Sequence, residues 1–171
     1  MHRVFRAAFL VVITAAAAAA QVKIGIINSA QAISSTQEIK KAQAELEAKF
    51  KPRQDELTKL QSDLQNIQTQ LQGGKLSPQG EQELNAEGTR KQREFQRKEQ
   101  DLRDDVDRER QDVLSRANGR MQDVIKKLAA EKGLDAVFDS STMLFFKPAM
   151  DITPDAVTAY DKAYPVTAAA K

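Results

Sequence analysis

The residues of this sequence that could carry covalent chemistry are few, and their spacing gathers none of them into a reactive set. The 171-residue chain has no Cys and no Trp, and its one His is His2. Thiolate nucleophiles, disulfides, Cys-ligated zinc and lipidated cysteines are therefore excluded. Gly74-Lys75 resembles the end of a phosphate-binding loop, but Thr69 stands where that motif needs its first Gly, and Leu76 where it needs Ser or Thr. The remaining carboxylates, lysines and hydroxyls are spread along charged stretches, away from apolar neighbours that would shift a pKa. The chemistry left is non-covalent binding. Neither enzymatic activity nor a cofactor or metal is expected.

Two groups of residues suit binding. Leu60, Leu64, Leu71, Leu76 and Leu84 lie in an otherwise polar stretch. Each leucine withdrawn from water contributes ~1.5–3 kcal/mol, so several together can hold an apolar chain weakly with none indispensable. The competing expectation is that neighbouring side chains of the same helices fold over them. Arg90, Lys91, Arg93, Arg97 and Lys98 form a basic band with Glu94 as its one acid. Such a band attracts anionic partners, including a weak contact with anionic membrane lipid, and the attraction falls as salt rises. Its bland counterpart is a solvated helix face laced with i,i+4 pairs. No nucleic-acid partner is expected, because the band lacks an aromatic stacking platform and export would separate the protein from cytoplasmic DNA.

The elements that position these residues follow from pattern. Arg3 and Arg6 precede an apolar run from Ala7 to Ala20 that ends in Ala18-Ala19-Ala20. At 14 residues the run is shorter than the ~20 needed to span a bilayer. It reads as a cleaved secretory signal, residues 1–20, with cleavage after Ala20 and export of the mature chain. Of the 26 basic residues, loss of Arg3 and Arg6 leaves 24 against 24 acidic, so a precursor of formal charge +2 becomes neutral.

Residues 36–116 read as an arm: two long helices joined by a turn at 73–78. On the first helix Ile39, Leu46, Leu60 and Ile67 fall in one seven-residue series, interrupted by Arg53, and Phe50, Leu57, Leu64 and Leu71 in another. This is an a/d seam. The second helix repeats the alternation backwards from Val113 through Val106, Leu102 and Phe95. Folding at the turn pairs Ile39 with Val113, Leu46 with Val106, Phe50 with Leu102, Leu57 with Phe95, and Arg53 with Glu99. An antiparallel helical hairpin satisfies all five. Toward the turn Leu60, Leu64 and Leu71 then face Gln92, Gly88 and Glu81, which leaves that half underpacked. Pro52 should bend the first helix, and Asn118-Gly119 is a candidate hinge where the arm meets the rest.

Residues 21–35 and 117–164 read as a small β-rich head. Strands are expected near 22–28, 135–139 and 143–147, the last two as a hairpin across Asp139-Ser140-Ser141. Thr153-Pro154 should cap a short terminal helix, and residues 165–171 should fray. Beyond Arg116 the apolar stripe widens through Ala117, Met121, Val124, Ile125 and Leu128, a face for packing on the strands. So small a head buries little alone, which favours association through Ile24, Ile26, Val137, Phe138, Leu144, Phe145 and Phe146. The alternative is a monomeric head capped by its own terminal helix.

The fold class is thus α+β, a β-rich oligomerisation head bearing a long antiparallel helical arm. The chain resembles the Skp/OmpH periplasmic chaperones from residue 22 to 163. The resemblance is carried by Val22-Lys23-Ile24-Gly25-Ile26-Ile27-Asn28, Phe50-Lys51-Pro52-Arg53-Gln54-Asp55-Glu56-Leu57, Gly133-Leu134-Asp135-Ala136-Val137-Phe138-Asp139 and Asp151-Ile152-Thr153. It implies a homotrimer with three helical tentacles that encloses unfolded outer-membrane β-barrel proteins without ATP and keeps them from aggregating before membrane insertion. The chain departs from the strongly basic members of that family in being neutral after processing, so charge capture would rest on the band at 90–98. The alternative is a coiled-coil scaffold or tether of the cell envelope that binds a folded partner.

Overall fold

A computed structural model describes residues 21–166; residues 1–20, where a signal is expected, and the last five residues lie outside the described residues. The elements are β1 (Ile24–Ile27), α1 (Ser29–Ser35), α2 (Gln37–Gln72), α3 (Pro78–Lys132), β2 (Ala136–Asp139), two short 3-10 turns (Ser140–Thr142 and Pro148–Met150) and α4 (Thr153–Ala163). The architecture is the expected one, mostly helical with a small sheet.

The arm is α2 and α3. Thr36 caps α2 by accepting from the Ile39 N–H, and Ser77 caps α3 by accepting from the Gly80 N–H, with Pro78 at the start of the helix where its missing donor costs nothing. With 36 and 55 residues, the helices are about 54 and 82 Å long. Between them Gly74 takes a φ of 62°, a left-handed conformation that glycine reaches without a Cβ clash. α2 runs unbroken through Pro52, which stands exposed on its outer face. α3 likewise continues as helix through Asn118 and Gly119.

The register of the hairpin differs from the expected one by about one helical turn. Arg53 pairs with Asp105 at 2.7 Å, while Glu99 pairs with Arg103 on its own helix. The Cβ that Gly88 lacks would lie 3.2 Å from Ile67, so Ile67, and not Leu64, faces Gly88. The ion pairs Lys91–Asp63 (2.8 Å), Lys98–Glu56 (2.7 Å) and Lys49–Glu109 flank the seam in this register. Heptad pattern alone tolerates a slide of one turn, and the flanking charges and Gly88 select among the options.

The head departs from expectation in its strands. β1 and β2 are parallel, Ile24 opposite Ala136 through Ile27 opposite Asp139, and the whole arm is the crossover between them. The expected hairpin from β2 into residues 143–147 does not form. Asp139 accepts the Ser141 N–H at 2.9 Å and its carbonyl accepts the Thr142 hydroxyl at 2.7 Å, which curls the chain into a 3-10 turn. The chain returns to β1 only at Asp151, bridged to Ile26, with the Ile152 N–H donating to the Ile26 carbonyl at 2.8 Å. Thr153 is the first residue of α4 rather than its cap: its N–H donates to Asp151, and its hydroxyl accepts the Asn28 N–H at 2.9 Å.

The core lies at the arm root. Ala117, Met121, Val124 and Leu128 share one face of α3 and pack with Ile27, Ala32, Ile33, Ile39, Ile152, Ala156 and Tyr160. The widened stripe of α3 is therefore sealed by α1, the start of α2 and α4 as much as by the sheet.

Candidate functional site

In the distal half of the arm the seam stays open between α2 and α3. Small and polar α3 residues, Gly88 and Gln92, stand opposite the larger α2 side chains Leu64, Ile67 and Leu71. A groove of about 600 Å³ results, floored by these apolar groups and Phe95 and bordered by Gln61, Gln65 and Gln68. Amide side chains beside leucines offer both hydrogen-bonding partners and apolar surface, the two things an unfolded polypeptide presents. A second concavity of about 860 Å³ lies at the arm root, where Ile33, Leu46, Val106, Val113 and Leu114 meet the β2 turn at Ser140 and Ser141.

The five leucines singled out from sequence divide. Leu60 is 8% exposed and belongs to the sealed seam, as does Ile67, so Leu60 is no free binding surface. Leu64 and Leu71 are half-buried in the groove, Leu84 is half-buried on α3, and Leu76 is 40% exposed at the turn. Sequence reasoning overlooked the half-buried Phe95 as part of this site, while Ile67 lies buried under the groove. The signal was present in Gly88, whose missing side chain leaves the space.

The basic band also divides. Lys91 and Lys98 turn inward across the seam to Asp63 and Glu56 and hold the two helices together. The hydrogen bond between Lys91 and Asp63 raises the ammonium above its ordinary pKa and lowers the carboxyl below its own. Arg90, Arg93 and Arg97 are exposed on a single face and have no ion-pair partner among the described residues. At spacings of three and four residues they form a stripe of fixed positive charge.

The proposed association residues fare unevenly. Ile26 is 1% exposed and buried within its own head, so it offers no surface, and Ile24, Val137 and Phe146 are half-buried. Phe138 is 43% exposed, Phe145 81% and Leu144 fully exposed in the single chain. Because the hairpin does not form, Leu144 and Phe145 stand uncovered, and β2 has one edge without a partner strand among the described residues.

Among the described residues, no group of three or more His, Asp or Glu is placed to hold a metal. Among these residues no helix is long and apolar enough to cross a membrane. The clearest electrostatic cluster lies at the arm root. Glu38 of α2 accepts from Tyr160 at 2.6 Å and Arg120 at 2.8 Å, with Arg116 at 3.4 Å. Burial raises the Glu38 pKa, but the hydrogen bonds from Tyr160 and Arg120 and the charges of both arginines outweigh it, and the carboxyl sits below its ordinary value. Burial and the adjacent carboxylate push the Tyr160 phenol well above its usual range.

Residues 23–160 match the family described as outer membrane protein (OmpH-like). The chain belongs to this OmpH-like family. Among its relatives, the chaperone protein Skp of Yersinia enterocolitica is 30% identical over 145 residues, covering 84% of this chain and 88% of the relative. Skp of Vibrio cholerae is 30% identical over 146 residues, covering 84% and 86%. A solved OmpH-like structure from Caulobacter crescentus, 24% identical, covers 87% of this chain and 89% of its own with a TM-score of 0.71. The OmpH-like fold of head and helical arm is thus shared.

Proposed function

We propose that this protein is an ATP-independent periplasmic holdase, which encloses unfolded outer-membrane β-barrel proteins between its arms and keeps them from aggregating. The observation that carries this reading is the open distal seam: leucines and a phenylalanine partly withdrawn from water beside glutamines, on an arm far from the compact head. Multiple contacts of this kind, each weak, hold a client without fixing its conformation. The Skp relatives named as chaperones support it. Three copies joined through Phe138, Leu144, Phe145 and the free edge of β2 would set three arms around one cavity. Arg90, Arg93 and Arg97 would add a salt-sensitive contact with acidic clients or anionic lipid headgroups.

The test is suppression of aggregation of a denatured outer-membrane barrel, without nucleotide, by the protein and its Leu64→Ser/Leu71→Ser variant. The holdase reading expects suppression near stoichiometric amounts, and expects the variant to lose most of it while its unfolding midpoint changes little. Absence of suppression by the unaltered protein would favour the tether. Loss of stability with retained suppression would show that the groove leucines serve the arm alone. The mass of the protein in solution, compared with that of Leu144→Ser/Phe145→Ser, tests the trimer and its contact surface.

A further inference from the structure

The arm joins the head at two points that lie side by side. On α2, Thr36 is the single non-helical residue between α1 and α2, with extended backbone (φ −65°, ψ 150°). On α3, Gly119 has nothing within 4 Å of where a Cβ would stand, and its neighbour Asn118 is exposed. Rotation at both would swing the arm as a body.

One carboxylate spans them. Glu38 stands two residues beyond Thr36, and its partners Arg116 and Arg120 stand on either side of Asn118-Gly119. A third element closes the set. From α4, Tyr160 donates its hydroxyl to Glu38 at 2.6 Å, and Asp161 accepts the Gln37 N–H at 2.9 Å. Tyr164, just after α4, lies under the Arg120 guanidinium, which is 4.7 Å from its ring centre, and its ring centre is 5.1 Å from that of Tyr160. Tyr160 is 0% exposed, so its hydroxyl has no water in place of Glu38.

We propose that α4 is a latch on the arm, in which Tyr160, acting through Glu38, sets the direction in which the arm leaves the head. Tyr160 is a positioning residue in this scheme. Its packing in the core and its hydrogen bond to the arm are separable, because the ring lies in the head while the hydroxyl reaches α2. With the bond gone, the Tyr160 ring keeps its place in the core and the arm gains freedom at Thr36 and Asn118-Gly119. Its bearing on the size of client admitted rests on the holding function proposed above, whereas the experiment contains no client.

The chain has no cysteine, so Lys75→Cys at the arm tip and Ala149→Cys on the head accept a pair of spin labels cleanly. Labelled chain in excess unlabelled protein then reports the arm-to-head distance distribution within one chain. Tyr160→Phe should raise the population of displaced arms about five-fold, the equivalent of one lost net hydrogen bond. Glu38→Ala should do at least as much, and the double variant no more than Glu38→Ala alone, since both break the same bond. Ile152→Val, which loosens the head core without touching the latch, should leave the distribution unchanged. An unchanged distribution in Tyr160→Phe, or equal broadening in Ile152→Val, would overturn the proposal.

Discussion

The two halves of the arm are built from the same two helices and behave as different materials. At the root, Ile39, Phe50, Leu102, Ala117 and Met121 are sealed from water, and α1 and α4 close over Ile39, Ala117 and Met121. Toward the tip, Leu64 and Leu71 remain partly open because α3 places Gly88 and Gln92 where large apolar residues would complete the seam. The difference teaches that a coiled coil need not be uniformly optimised. Packing is concentrated where the arm is anchored, and incomplete packing is left toward the tip, where the proposed holding function would use the surface.

The contrast can be broken at the root. Met121→Ala removes a side chain that is 1% exposed and should cost about 2–5 kcal/mol by denaturant unfolding. An equal loss from Leu64→Ala would erase the distinction between the halves. Acid also acts at the root. The folded Glu38 carboxyl ionises below its ordinary 4.5, so its stabilisation is complete above that value and is lost as pH falls through the folded one. The groups facing it are Arg116 and Arg120 from α3 and Tyr160 from α4. Thermal unfolding between about pH 6 and pH 3 should therefore fall more steeply in the native sequence than in Glu38→Gln.

At the tip the contrast can be sharpened. Gly88→Ala replaces a mid-helix glycine and should stabilise the arm by up to ~1 kcal/mol, since Ile67 has the adjoining groove to move into. Client holding should decline as the groove fills, measured by the same aggregation assay. The smallest effect is expected at the flanking charges. Lys98→Ala breaks an exposed pair with Glu56 and should cost ~0.2–1 kcal/mol, less at high salt.

Much of the fold was legible because long amphipathic helices repeat their signal many times. Ile39, Phe50 and Met121 stand in helical series whose spacing admits few alternatives. The site was legible in part. Gly88 among leucine partners marked the underpacked half, but in a register about one turn away the seam closes over Leu60, which the sequence pattern had left open. Short elements were less readable. α1, seven residues capped by Asn28 accepting from the Gln31 N–H, carries too few turns for periodicity to show. Met143 to Phe146 has the composition of a strand, yet Asp139 diverts the chain before it can pair.

Composition alone excluded thiol and imidazole chemistry beyond His2, and apolar periodicity with a glycine turn dictated an antiparallel hairpin, because those properties are local and repeated. Tertiary structure decided which leucines stay open, which lysines turn inward, that the strands run parallel, and that Tyr160 reaches Glu38 across 122 residues of sequence. Each of these depends on the relative placement of elements far apart in the chain, where packing and charge pairing choose among arrangements that local pattern leaves equivalent.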